Sequence, residues 1–252
     1  MKHVATIVCL MLAAIFFLAL QVNAADAPTA AKPATTKPKA EVWKFTPDPK
    51  LPNVLIIGDS ISIGYTLDVR AQLKGKANVY RPLSADEKQS ENCNGSTNGI
   101  KRLDKWLQIA PKWDVIHFNF GLHDLKHVST PGGDTISKTL TDPVQASPEL
   151  YEKNLRSIVA TLKGTNAKLI FGNTTPVPAG ATGRTPEQPA IYNAIAAKVM
   201  KENDIQIDDL FGFITPNLAR YQKPKDVHYT VEGYKVLAGQ VSSEIVKALP
   251  VK

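Results

Sequence analysis

The chain has 252 residues and a formal net charge of +7, from 30 basic and 23 acidic side chains. Lys2 carries +1 of that excess and residues 25–40 carry +2 (Lys32, Lys37 and Lys39 against Asp26), which leaves +4 for residues 41–252. That is a mild charge with no dense Lys/Arg run interleaved with aromatics, so nucleic acid is not indicated as a partner.

Lys2 and His3 precede an apolar stretch from Val4 to Leu20, and "VNA" follows before Ala25. A basic start, an apolar core and small residues at a cleavage point read as a secretory signal peptide over residues 1–24. Export, to a periplasm or to the outside, is the expectation, with an uncleaved N-terminal anchor as its rival. Cleavage would leave no stable membrane span. Cys9 lies inside the apolar run, so there is no lipoprotein signature, and its removal leaves Cys93 as a lone, packed thiol with no internal disulfide. Residues 25–40, "ADAPTAAKPATTKPKA", hold almost no bulky apolar group and read as an extended, Pro-stiffened spacer. Residues 41–252 suffice for one domain with a sizeable core.

Within that domain, apolar runs alternate with helical patterns. Strand-like runs cover residues 53–58, 78–83, 114–121, 167–173 and 205–212. Helical patterns cover residues 98–109, with Ile100, Leu103, Trp106 and Leu107 on one stripe, and 148–163, with Leu150, Leu155, Ile158, Val159 and Leu162 inward. The second is well signalled at its start: Ser147 can cap, Pro148 suits the first helical position, and Glu149 favours the positive end. Further helices are expected over 190–202 and 231–248. This alternation predicts an α/β fold with about five parallel strands covered by helices on both faces. Residues 128–147 and 174–189 are rich in Gly, Pro, Ser and Thr, and each follows the carboxyl end of a strand, where long loops shape sites.

The run "NVLIIGDS" ends in a small turn that presents Ser60 at the carboxyl end of the first strand. A serine nucleophile needs a base, and the base needs a third group to orient it. Of the domain's histidines, His117 sits mid-strand and reads as a hydrogen-bonded core residue. His228 lies in "PKDVHYTVEGY", two residues after Asp226. In an extended segment these two side chains point the same way, so the Asp226 carboxylate could hold one ring nitrogen while the other faces Ser60. Thr230 can cap the helix that follows.

Gly58-Asp59-Ser60, Gly121-Leu122-His123-Asp124 and Asp226-Val227-His228, in this order and spacing, resemble the SGNH (GDSL-type) hydrolases over nearly all of residues 50–250. The resemblance implies a flavodoxin-like three-layer α/β/α sandwich, no cofactor, and ester hydrolysis through an acyl-serine. It implies Ser60 as nucleophile, His228 as base and Asp226 as its partner. The Ser60 N–H and a backbone N–H from "ENCNGSTNGI" would hold the oxyanion, with Gly95, Asn94 and Gly99 as candidates in that order. The family's third block usually carries an Asn whose amide faces the oxyanion. Here His123 takes that place, and its role would depend on tautomer and pH. The last block is one residue shorter than the common Asp-x-x-His. Asp59 and Asp124 are expected to brace loops by accepting backbone N–H bonds.

"HDLKH" at 123–127 imitates a zinc-binding helix motif, but Gly121 before it and "STPGG" after it break the helix that such a site needs, so no metal is expected. No Gly-x-Ser-x-Gly elbow of the ordinary α/β-hydrolases occurs. The expected function is an exported serine esterase that removes acyl groups, acetyl first among them, from a small-molecule or glycan ester. The alternatives are a lysophospholipase or thioesterase of the same family, and a non-catalytic glycan-binding module on the same fold.

Overall fold

The computed structural model describes residues 42–250. The expected signal peptide and the whole of the expected spacer lie outside the described residues. Five strands form one parallel sheet: β1 (Asn53–Ile57), β2 (Asn78–Tyr80), β3 (Val115–Phe118), β4 (Lys168–Gly172) and β5 (Gln206–Asp208), in the order β2-β1-β3-β4-β5. Val54 pairs with both Val79 and Val115, and Val115 with Lys168, which sets the register across the middle. Val54, Leu55, Ile56 and Ile57 are all fully buried. A strand covered on both faces has no polar side to alternate with, which is why the run is continuous in sequence.

The main helices are α1 (Ser60–Gln72), α2 (Ser96–Leu107), α3 (Pro148–Lys163) and α4 (Gln188–Glu202), then two short turns of helix, α5 (Leu210–Ile214) and α6 (Leu218–Tyr221), and finally α7 (Val231–Ala248). α1 packs on α7, and α2, α3 and α4 pack in succession, giving two helical layers around the sheet. No described helix is long and apolar enough to cross a membrane. The strand order reverses direction between β1 and β3, so the crevice outside their carboxyl ends is the place where such sheets put ligands.

Ser147 accepts a bond from the Leu150 N–H at 3.2 Å, with Pro148 and Glu149 in the first turn of α3. Thr230 caps α7 through Gly233 N–H at 3.0 Å. The structure adds to the sequence reading at one point and corrects it at two. Residues 60–72, which carry no clear apolar stripe, form α1; burial of Ile61, Tyr65 and Val69 overrides their modest helix propensity. Gly64 lies so close to α7 that a Cβ there would fall inside the Tyr234 ring. Second, Ile100 and Leu150 face solvent, and the buried faces are instead Gly99, Leu103 and Trp106 on α2, and Tyr151, Asn154 and Leu155 on α3. Third, the runs at 78–83 and 205–212 are strands only over three residues each; Arg81 turns inward and Leu210 begins a helix.

Candidate active site

Ser60 is the first residue of α1, directly after the capping residue Asp59. The Asp59 carboxylate is almost fully buried and accepts the Ile61 N–H at 2.9 Å. Burial raises its pKa, and the Ile61 bond pulls the other way. The turn is held from beneath by Arg81, which is 2 % exposed. Its guanidinium donates to the Gly58 carbonyl at 2.7 Å, the Glu91 carbonyl at 3.0 Å and the Ser62 hydroxyl at 2.7 Å. Guanidinium stays charged in proteins, so the Ser60 turn rests on a buried cation solvated by carbonyl and hydroxyl oxygens, with the Asp59 and Glu91 carboxylates near enough to favour its charge. Cys93 is fully buried beside it, its thiol pushed up to about 11 by burial.

His228 and Asp226 sit across the crevice, in front of α7. The segment is not extended, which corrects the alternation argument. Gln222 and Tyr229 form an antiparallel bridge, the Lys223 N–H donates to the His228 carbonyl at 2.9 Å, and Lys225 has φ of +56°. Inside this turn the Asp226 carboxylate accepts both the His228 backbone N–H at 3.1 Å and the His228 ring Nδ1 at 2.7 Å. The side chains meet because the turn folds the carboxylate back onto its own backbone. Burial acts to raise the Asp226 pKa, but the two bonds from His228 outweigh it and hold the carboxyl below its ordinary value. An ionised carboxylate can only accept, so the ring proton is on Nδ1 and Nε2 carries the lone pair. Nε2 lies 2.9 Å from Ser60 Oγ. Sequence positions 168 residues apart thus form one continuous hydrogen-bonded chain, with the hydroxyl placed to give up its proton. The His228 and Asp226 side chains remain 39 % and 42 % exposed.

The segment that leads into α2 is tied to the Ser60 corner, the Cys93 N–H donating to the Gly58 carbonyl at 3.2 Å. Asn94 adopts φ of +55°, and its N–H is already bonded to Asn92 Oδ1 at 2.9 Å. The Gly99 N–H is used inside the helix, on the Gly95 carbonyl. Among the described residues the N–H groups of Gly95 and Ser60 have no acceptor. A Cβ at Gly95 would come within 3.1 Å of Asp124 Oδ1, so the residue must be small. Asp124 is buried and ties down the neighbouring residue: it accepts the Ser96 N–H at 2.8 Å and the Ser96 hydroxyl at 2.5 Å. Burial pushes its pKa up to about 6 despite those bonds.

His123 is half-buried, and its pKa is pushed down to about 3 by burial first, then by Lys126, Arg184 and His228. His127 belongs elsewhere: Nδ1 meets the Asp142 carbonyl at 2.6 Å and Nε2 the Gln188 amide at 3.1 Å. The two histidines of "HDLKH" therefore have separate partners, and among the described residues no group of three metal-ligating side chains is present. His117 is fully buried with Nε2 3.1 Å from Asp208. The loop over 174–189 is held by the segment that follows β3: the His127 N–H donates to the Gly183 carbonyl at 2.7 Å, and Arg184 Nε to the Leu122 carbonyl at 2.9 Å. Sequence reasoning missed Arg81, Lys126 and Arg184. Arg81 had a signal, a cation inside an apolar run; the other two read as ordinary surface charges.

The sequence matches the model of the GDSL-like lipase/acylhydrolase family over residues 56–236. The chain belongs to this family. No curated protein matches it. Among solved structures it resembles the lipase/acylhydrolase from Enterococcus faecalis, with 18% identity, 80% of this chain and 98% of that one covered, and a TM-score of 0.63. An acetylxylan esterase from Geobacillus stearothermophilus aligns with 17% identity over 80% of this chain and 97% of the other, at a TM-score of 0.59. The acetyl xylan esterase AlAXEase gives 16% identity, 77% and 99% coverage, and 0.58. At these identities the likeness is one of fold, and it agrees with the parallel three-layer arrangement. GDSL esterases and acylhydrolases hydrolyse esters, and the crevice of this family member holds the hydroxyl–imidazole–carboxylate chain described above.

Proposed function

We propose that the protein is an exported serine esterase that removes small acyl groups, acetyl first among them, from a carbohydrate. The observation that carries the reading is the Ser60–His228–Asp226 chain, at 2.9 and 2.7 Å. Ser60 Oγ attacks the ester carbonyl carbon while its proton passes to His228 Nε2, and Asp226 holds the resulting imidazolium. The tetrahedral oxyanion lies against the free N–H groups of Ser60 and Gly95, at the positive ends of α1 and α2, with the His123 ring as a third donor. Asn94 is the weaker candidate because its N–H already has an acceptor. His228 then protonates the departing alcohol oxygen as the C–O bond breaks. Water attacks the acyl-serine, gives its proton to the same Nε2, and the acid leaves as Ser60 is reprotonated.

Two features support the choice of substrate. The exposed His228–Asp226 pair leaves the crevice open on one side, which suits an ester on a bulky sugar better than a long acyl chain needing an enclosed apolar tunnel. Acetylxylan esterases are among its structural relatives. A non-catalytic glycan-binding module would have no need of the hydroxyl–imidazole–carboxylate alignment.

The test is turnover of esters of increasing acyl length alongside acetylated glycans. Ser60→Ala should keep the fold and lose about 10⁴-fold or more in kcat; near-normal turnover would end the reading. Because Nε2 must be unprotonated, kcat/KM should fall in acid with a single histidine limb, since His123 at about 3 stays neutral throughout that range.

A further inference from the structure

We propose that Lys126 is a positioning residue of the oxyanion site, whose ammonium locks the His123 ring as the neutral tautomer with its proton on Nε2, facing the crevice. The inference rests on the reading of His123 given above.

Lys126 Nζ lies 3.3 Å from His123 Nδ1. An ammonium has three protons to donate and nothing with which to accept, so Nδ1 must offer its lone pair. A neutral imidazole has one ring proton, and it must then be on Nε2. Among the described residues Nε2 has no partner. The lysine is not free to drift. The Lys126 N–H closes a tight turn on the His123 carbonyl at 3.2 Å, and the Lys126 carbonyl accepts the Gln145 N–H at 2.8 Å. Its side chain is only 7 % exposed, with Nζ also donating to the Asp134 carbonyl at 3.0 Å and lying 3.8 Å from the Asp134 carboxylate.

The surroundings favour the same state. The charged and titratable groups that bear on His123 are Lys126 on its own turn, Arg184 from the loop before α4 and His228 from the turn before α7. Asp124, next in sequence, is turned away to Ser96. A proton added at Nδ1 would face the ammonium directly, so the imidazolium is opposed both by burial and by like charge. The pair that matters in "HDLKH" is therefore His123 with Lys126, not His123 with His127. The cation makes a titratable ring behave as a fixed amide-like donor.

Ring ¹⁵N shifts of ¹⁵N-histidine-labelled protein read tautomer and titration directly. In the wild type, His123 should show protonated Nε2 and no titration down to pH 5. Lys126→Met should introduce the Nδ1–H form and move the His123 midpoint up by at least about one pH unit. Its kcat on a small acetyl ester should drop about threefold to tenfold with KM little changed, less than the ~10²–10³-fold cost of losing an oxyanion donor outright. Lys126→Arg, another obligate donor, should restore the tautomer. In a His123→Asn background, Lys126→Met should cost no further kcat. An unchanged tautomer and midpoint in Lys126→Met would overturn the proposal, as would an equal kcat loss in both backgrounds, which would mark Lys126 as merely structural. If Lys126→Met fails to fold, Lys126→Gln serves, because its amide can turn to accept from Nδ1–H and release the lock. The ring shifts decide this point independently of Ser60→Ala, which tests the esterase reading itself.

Discussion

The two halves of the hydroxyl–imidazole pair stand on very different ground. Ser60 belongs to a buried corner: a capped helix start, a fully enclosed Arg81 beneath it, and Asp124 pinning the start of the adjacent α2. His228 and Asp226 stand on an open turn that supplies its own bonds. The corner draws its geometry from elements far apart in the chain, whereas the turn draws most of it from bonds within the Gln222–Tyr229 bridge. One side of the site is therefore coupled to global stability and the other is not. Substitutions should separate accordingly, stability falling with the first and rate alone with the second.

The largest expected stability effect is at Arg81. Arg81→Met removes the donor to two carbonyls and a buried hydroxyl, and should cost about 3 kcal/mol or more in urea unfolding, together with most of the activity. A loss under about 1 kcal/mol would show that the corner does not depend on its cation. Asp124 gives a pH signature of the same corner. Its folded pKa of about 6 lies above the ordinary 3.8, so the folded chain binds this proton more tightly than the unfolded one. Its contribution to stability is therefore full below about 4 and is lost as pH rises through about 6, by at most roughly 3 kcal/mol. Asp124→Asn should remove that slope from the difference between variant and wild-type stabilities measured from pH 4 to 7. An unaltered slope would assign it to other groups. The smallest effect is expected on the open turn. Asp226→Asn should lower kcat about 10- to 100-fold, well short of the ~10⁴-fold typical of an enclosed triad, because solvent shares the work of stabilising the imidazolium. Its midpoint in thermal unfolding should hardly move. A matching loss of stability would erase the contrast between the two sides.

Legibility in the sequence followed a similar divide. Elements with a local signature could be read closely: the continuous run of β1, and α3 with its Ser-Pro-Glu start, whose bounds coincide with residues 148–163. α1 could not, because "SISIGYTLDVRAQ" owes its helix to burial against α7 rather than to propensity or stripe. The order of Ser60, Asp226 and His228 was visible, but the reason the last two meet was not. Alternation along a strand suggested it, and a turn with one left-handed residue achieves it. Arg81, Lys126 and Arg184 escaped notice for a common reason. A cation's default place is the surface, and only the tertiary fold reveals that carbonyl oxygens or a ring nitrogen are waiting for it.

The pairing of α1 with α7 has a further consequence. Leu51 and Pro52, ahead of the sheet, line the same cleft as Leu249 and Pro250 at the far end of α7. Joining those ends and reopening the backbone at the exposed stretch around Thr130–Gly132 would give a circular permutant. In that rearranged polypeptide the hydroxyl and the imidazole would no longer sit at opposite extremities: α7, a short splice and β1 would carry the chain from the His228 turn to Ser60, with the rest of the sheet divided to either side.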